Sequence, residues 1–221
     1  MPKRYGVKEK DQVVAHILDM LLSGRLRTGD RVDRNEITAA LGLSRVPVQE
    51  ALGQLEHDGI LVTQYHRGAF VQRFDAEVLR EHHEVHALLV GAAFARAAAD
   101  RRPAVLELLD NTVRALRDSP SQPAFLANVD RYREILVDTY AGPRLQAAIK
   151  ASRSFMPGDF WLTYPRTREV LQPFVEEQIA AVRAGQPDKA RRTALDCLDV
   201  MADLLIEDLY RRGVFTALDS P

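Results

Sequence analysis

Apolar residues recur along the first third of the chain at two different periods. Val13, Val14, Ile17, Leu18, Leu21 and Leu22 fall on one broad helical face, which predicts a helix over residues 9–23 that Gly24 ends. Gly29-Asp30 marks a turn, and Arg31-Val32-Asp33 a short extended piece. Asn35 to Leu41 forms a short helix that stops at Gly42. A further helix starts after Ser44, whose hydroxyl is expected to cap a free N–H of the first turn, with Pro47 placed where no donor is needed. Val48, Leu52 and Leu55 share one stripe of that helix, which leaves Arg45 and Gln49 one turn apart on another face. Gly59 supplies a left-handed stop. The period then changes to two: strands over 61–64 and 69–72 flank the tip Tyr65-His66-Arg67-Gly68. Helix, turn, helix and two-stranded wing form the layout of a DNA-binding module. Taken alone, the pattern also suits a helical hairpin with a small β-ribbon. Cap, stripe, glycine stop and basic tip agree on one register, and that agreement favours the DNA module.

Beyond Val71 the pattern is helical throughout. Helices are expected near 76–100, 103–118, 123–140, 143–156, 165–184 and 187–212, separated by proline- and glycine-bearing breaks such as Ser119-Pro120, Gly142-Pro143 and Gln186-Pro187. Short connections between them imply a bundle, a form that holds ligands between its helices. The fold expected is mainly α: a winged helix-turn-helix domain over 1–74 and an all-helical domain over 75–221.

Composition changes this picture little. Usage is that of an ordinary globular protein, with 46% hydrophobic and 28% charged residues, so disorder is excluded as the main state. The net charge of −1 does not by itself suggest a nucleic-acid binder. Residues 1–74 hold eleven basic against nine acidic side chains, and 75–221 nineteen against twenty-two, so the signs favour the first domain only slightly. The single cysteine, Cys197, excludes an internal disulfide and fits a reducing cytoplasm. No apolar run reaches the ~20 residues of a membrane span, and no signal-type apolar core follows the opening MPKRYGVKEK. A cytoplasmic location with no membrane partner is therefore expected.

Leu41-Gly42-Leu43-Ser44-Arg45-Val46-Pro47-Val48-Gln49-Glu50-Ala51-Leu52 resembles the LGVSRxPVREAL segment of the GntR family of bacterial transcription regulators. Leu55-Glu56-His57-Asp58-Gly59-Ile60-Leu61 is similar to its LExxGLV, and Arg67-Gly68-Ala69-Phe70-Val71 to its RGxxV wing. The stretch from Ile17 to Val32 resembles its IxxGxLxPGxxL entry, with Thr28 where a proline is usual. The resemblance implies a homodimer that reads a palindromic double-stranded operator, each reader helix in a major groove. Its DNA contacts map onto Arg34, Asn35, Ser44, Arg45, Val46, Gln49, His66, Arg67 and Gly68. Arg45 suits the O6 and N7 acceptors of guanine. Gln49 stands where the family has a second arginine, and glutamine pairs best with the N6–N7 edge of adenine. Asn35 likewise replaces an arginine, with Arg34 beside it as a substitute. The wing tip is expected to reach phosphates or a minor groove.

The helical part resembles the effector domain of the FadR branch, the FCD type, over roughly residues 80–210. Tyr132-Arg133 with Ala141-Gly142-Pro143-Arg144-Leu145 is similar to its FH…AGNPxL, and residues 181–190 to its AxxxGDxxxA. Many such domains hold a metal on one aspartate and three histidines. Here those positions fall at Val129 (with Asp130 one residue off), Arg133, near Val175 and near Cys197, and no histidine follows His86. Metal and cofactor are therefore not expected. Arg133 can instead take a carboxylate directly in a fork, or it can pair with Asp130 or Glu134.

Three further features bear on the effector. His82 and His86 lie one turn apart, a zinc half-site or simply a packed or solvated helix face. Glu84 to Val90 resembles the family's ExRxxLE, with His86 at the arginine position, which makes His86 a polar contact in a more apolar pocket. Arg153, Phe155, Met156, Phe160 and Trp161 form an aromatic and methionine cluster suited to core, dimer contact or pocket wall. The expected effector residues are thus His86, Asp130, Arg133, Arg153 and Cys197, and an apolar or aromatic carboxylate or a lipid would suit them. No phosphate loop or nucleophile–base set is present, Cys197 sits in an apolar helical pattern, and only a hydrolase built on His82 and His86 could be named as an enzyme. The expected function is a dimeric, effector-controlled repressor, with a constitutive DNA binder as the alternative.

Overall fold

The structure, a computed structural model, describes residues 8–153 and 158–216. Its elements are α1 (Glu9–Leu22), α2 (Arg34–Leu41), α3 (Arg45–His57), β1 (Leu61–Gln64), β2 (Gly68–Val71), α4 (Ala76–Asp100), α5 (Pro103–Arg117), α6 (Gln122–Tyr140), α7 (Pro143–Ser152), α8 (Gly158–Thr163), α9 (Thr167–Arg183) and α10 (Pro187–Arg211). Backbone packing divides the chain into two units, Met1–Leu79 with Ile206–Pro221, and Arg80–Leu205.

In the first unit α1 packs on α3. Val13, Ile17 and Leu21 from the one and Ala51, Leu52 and Leu55 from the other are buried, each large side chain contributing about 1.5–3 kcal/mol of burial. Gly42 ends α2 at φ 65. After α3, Ile60 N–H donates to Leu55 C=O and Gly59 N–H to Glu56 C=O, the paired bonds of a Schellman stop, with Gly59 at φ 74. β1 and β2 then pair antiparallel, Leu61 opposite Val71 and Gln64 opposite Gly68. The second wing strand thus begins at Gly68, one residue before the expected start. The extended piece at 31–33 joins the ribbon edge: Val32 N–H donates to Ala69 C=O and Val71 N–H to Asp30 C=O. A segment from the far end of the chain completes this unit. Phe215 stacks obliquely on Phe74, ring centroids 5.3 Å apart, and Val214 lies against Gly24.

The second unit is helical, and α5 packs on α6 and α9, with α8 also on α6. Phe94, Leu109, Leu116, Phe125, Tyr132 and Leu136 are fully buried in one core. Tyr132 hydroxyl donates to Gln178 Oε1, and Gln178 Nε2 donates to Thr193 C=O at 3.1 Å, so a buried polar chain is satisfied within the apolar core. Gly91 of α4 allows close approach of α10, because a Cβ there would sit 3.1 Å from Arg191 Cγ. The helix expected over 143–156 stops at Ser152, and a short α8 follows. Phe155 and Met156 of the expected aromatic cluster lie outside the described residues. Among the described residues, no helix is long and apolar enough to cross a membrane.

Candidate nucleic-acid interface and helical cavity

The polar face of the first unit is built from three short pieces. Asp33 starts α2 in extended conformation, and its carboxylate accepts from Asn35 and Glu36 N–H, fixing where Arg34 and Asn35 leave the backbone. The only sequence signal for this cap is an Asp followed by a polar turn. Ser44 occupies the N-cap of α3 with extended backbone, but its hydroxyl makes no bond to the first turn. The expected serine cap is corrected to this extent: the position holds, the hydrogen bond does not. Pro47 in the first turn lacks a donor that would otherwise need a partner, which lowers the demand for one.

Between α2, the start of α3 and the wing runs a groove of roughly 760 Å³. Arg34, Asn35, Arg45, Val46, Gln49, His66, Arg67 and Gly68 line it, whereas Ser44 does not. Arg31, Thr63, Gln64 and Tyr65 also line it and were not among the expected contacts; the place of Arg31 depends on the 31–33 piece joining the ribbon, while the other three lie in β1 and the expected tip. Val46 is 66% exposed at the tip of α3 and Tyr65 86% exposed at the wing, unusual positions for large apolar groups unless a partner covers them. Among the described residues, Arg31, Arg34, Arg45 and Arg67 have no carboxylate at ion-pair distance. Arg34 instead donates to Gln49 Oε1 at 2.8 Å, and Arg67 lies over the Phe70 ring at 5.7 Å.

Two features hold the wing against α3. Glu56 accepts from Thr63 N–H and from Thr63 Oγ1, both at 2.9 Å, which clamps β1 to the end of the reader helix. The tip closes through Arg67 N–H to Gln64 C=O, with His66 in the left-handed region at φ 58. Gly68, at φ 102, has no Cβ, and one added there would stand 3.3 Å from Arg31 Nε. A side chain there would push Arg31 by a few tenths of an ångström and would be strained by the positive φ.

The second unit holds a separate cavity of about 510 Å³. His86, Asp130, Arg133 and Arg153 line it together with Val90, Leu126, Val137, Ile149, Trp161 and Met201. Cys197 does not: it is buried, its thiol is pushed up to about 11 by burial, and it sits beside the Arg133 guanidinium rather than on the wall. The expectation for Cys197 as an effector contact is corrected accordingly. Asp130 pairs with Arg153 at 3.4 Å, while Arg133 has no carboxylate partner among the described residues. His86 is buried, and its Nδ1 lies 2.8 Å from Ser152 Oγ, which itself donates to Ile149 C=O at 3.0 Å. Burial, then the charges of Arg133 and Arg153, push the His86 imidazole down to about 3, so it is neutral at physiological pH. Among the described residues, no group of three or more His, Cys, Asp and Glu side chains could hold a metal ion.

Residues 9–71 match the family described as bacterial regulatory proteins, gntR family. The chain is 54% identical over 214 residues to the uncharacterized HTH-type transcriptional regulator Rv0043c of Mycobacterium tuberculosis, covering 97% of this chain and 88% of that one. Among solved structures it is similar to McbR/YncC of E. coli, with a TM-score of 0.60, 22% identity, and 91% of this chain and 99% of that one covered. It is also similar to a GntR family member from Pseudomonas syringae pv. tomato, with a TM-score of 0.57 and 16% identity over 93% of this chain and 87% of that one. The likeness to these two structures concerns the fold.

Proposed function

The chain belongs to the gntR family of bacterial regulatory proteins and is a DNA-binding transcriptional regulator, and from that premise we propose that it is a homodimeric, effector-controlled repressor of the FadR/FCD type. Residues 1–74 carry the operator contacts, and the chain from 75 on, within the second unit Arg80–Leu205, the effector site. The observation that carries the reading is the groove whose four guanidiniums have no carboxylate at ion-pair distance among the described residues, with Asp33 the one acidic residue on its wall. Phosphates are the natural partner of such charge, and binding them releases condensed counterions.

In this reading Arg45 donates to guanine O6 and N7, and exposed Val46 meets a thymine methyl beside it. Asn35 and Ser44 flank the reader helix and position it on the backbone. His66, Arg67 and Gly68 bring the wing tip to phosphates, with Arg31 alongside. Two copies read a palindromic site, and the regulator works in the cytoplasm, where its free Cys197 stays reduced. The effector occupies the helical cavity without a metal or other cofactor, its carboxylate held by Arg133, and its binding changes operator affinity through the population of the binding-competent dimer.

The test is selection of duplexes from a random library with the full chain, followed by affinity measurement with and without candidate acids. The reading predicts one enriched near-palindromic site, bound about 10³-fold or more above random DNA. An unenriched pool would overturn operator recognition. An enriched site whose affinity responds to no metabolite would leave a constitutive binder instead.

A further inference from the structure

The cavity of the second unit carries more chemistry than a single cation. Its inner charge is Arg133, half-buried and without a carboxylate partner among the described residues. With the one Ser152 hydroxyl hydrogen directed to Ile149 C=O, the proton between Ser152 and His86 is carried by His86 Nδ1, the tautomer this inference takes. His86 Nε2 is then a lone-pair acceptor on a side chain only 4% exposed, with no partner among the described residues. Trp161, also 4% exposed and on the same wall, has an Nε1–H donor with no partner among them either. Asp130, Glu134 and Asp138 of α6 also line the cavity, exposed; Asp130 is paired with Arg153, and Glu134 and Asp138 outnumber the remaining exposed cation, Lys150, so a second anionic group meets net negative charge. Most of the remaining wall is apolar.

Resting on the effector reading above, we infer that the cavity binds a hydroxylated monocarboxylic acid with an apolar body. The carboxylate forks onto Arg133. The hydroxyl donates to His86 Nε2. A ligand oxygen gives Trp161 Nε1–H the acceptor it lacks. Buried acceptors left unmade are costly, so an acid without the hydroxyl is penalised rather than merely less favoured. Neutrality of His86 at physiological pH keeps it an acceptor beside two arginines.

The test uses the full chain after EDTA treatment and titration calorimetry with matched pairs: 3-phenyllactate against 3-phenylpropanoate, and 2-hydroxyoctanoate against octanoate, with malate as the dianion. The hydroxy acid of at least one pair is expected to bind tenfold or more tighter than its partner, and malate more weakly. Ser152→Ala leaves the ring in place but frees its tautomer, so it should lower the hydroxyl advantage several-fold. His86→Phe should remove that advantage while keeping carboxylate binding, and Arg133→Met should weaken every acid tenfold or more. Equal binding within both pairs, binding that needs an added divalent metal, or no binding by any of these acids would overturn the inference. If another class of metabolite then releases the operator, effector control stands without it; if none does, effector control falls with it.

A second observation lies in the groove, and it rests on the operator-binding reading. Arg34 can only donate, so its 2.8 Å hydrogen bond takes one of the two lone pairs of the Gln49 carbonyl oxygen, and the Gln49 amide N–H groups have no partner among the described residues. Reading adenine requires that oxygen to accept from N6. The geometry points to Arg34 as a positioning residue that holds the Gln49 oxygen away from adenine N6 and biases Gln49 toward donating, selecting the acceptor-rich edge of guanine. Operator selection with wild type should enrich guanine at the Gln49 pair, and Arg34→Ala should shift that pair toward adenine while the Arg45 pair stays unchanged. Adenine at that pair in the wild type, or the same base in both, would overturn it. Absence of any enriched site with the wild type would instead overturn operator recognition.

Discussion

The groove and the cavity use the same side chain in opposite ways. Around the groove, four arginines stand on short elements, open to solvent, and their charge is available to a partner of any orientation. In the cavity one of two arginines, Arg133, stands half-buried beside a neutral histidine, while the other, Arg153, is exposed and pairs with Asp130. Under the proposed function the difference teaches that exposed guanidiniums set how strongly the protein holds a polyanion, while a half-buried one sets which small anion fits.

The largest effect should come from the core that shapes the cavity. Phe125→Ala removes a fully buried ring and is expected to cost about 3–5 kcal/mol, lowering the thermal midpoint by several degrees. A midpoint unchanged by this substitution would break the contrast, because the cavity wall would then not depend on shared packing. Arg45→Ala should leave the midpoint alone and weaken operator binding by roughly 1–3 kcal/mol per half-site, read by fluorescence anisotropy at fixed salt. A fall in stability with intact affinity would reverse the assignment.

Acid separates the regions next. The imidazole of His86 is pushed down from 6.5 to about 3 in the folded chain, so below pH 6.5 the unfolded chain takes up a proton that the folded one refuses. The stability linked to this site is fully present above pH 6.5 and declines as pH falls toward 3. His82, pushed down to about 4 by burial, acts in the same direction. Urea unfolding of His86→Phe should show a shallower decline of stability between pH 6.5 and 4 than wild type, and equal slopes would contradict this. The smallest effect is at α2: Asp33→Ala removes a two-bond cap and should cost about 1 kcal/mol, with a modest drop in operator affinity as Arg34 and Asn35 give up their fixed origin.

The two regions were unequally legible in the sequence. The groove is assembled from neighbours: Gly42, Gly59 and the Val48–Leu52–Leu55 stripe act within a few residues, so periodicity pointed to Arg45, Gln49 and the tip His66-Arg67-Gly68, while Arg34, Asn35 and Val46 came with the family resemblance. What escaped was the part set by strand pairing, since Arg31 joins the wing only through the bridge to Phe70. Local rules also overstated Ser44, which has the cap position without the bond. The cavity draws its wall from α4, α6, α7, α8, α9 and α10, and periodicity cannot say which faces meet. His86 and Arg133 were reached only through a resemblance, and register alone puts Cys197 on the wall where packing places it behind. The bond that fixes His86, from Ser152 sixty-six residues away, left no local signal.

The most direct measurement is the salt dependence of operator affinity for the full chain and for Arg31→Ala, Arg34→Ala, Arg45→Ala and Arg67→Ala. If the groove binds the DNA backbone, log affinity falls steeply with log salt, and removing an arginine that touches a phosphate flattens the slope by about one unit. A slope that none of the four substitutions changes would contradict the assignment of this groove as the DNA-binding face.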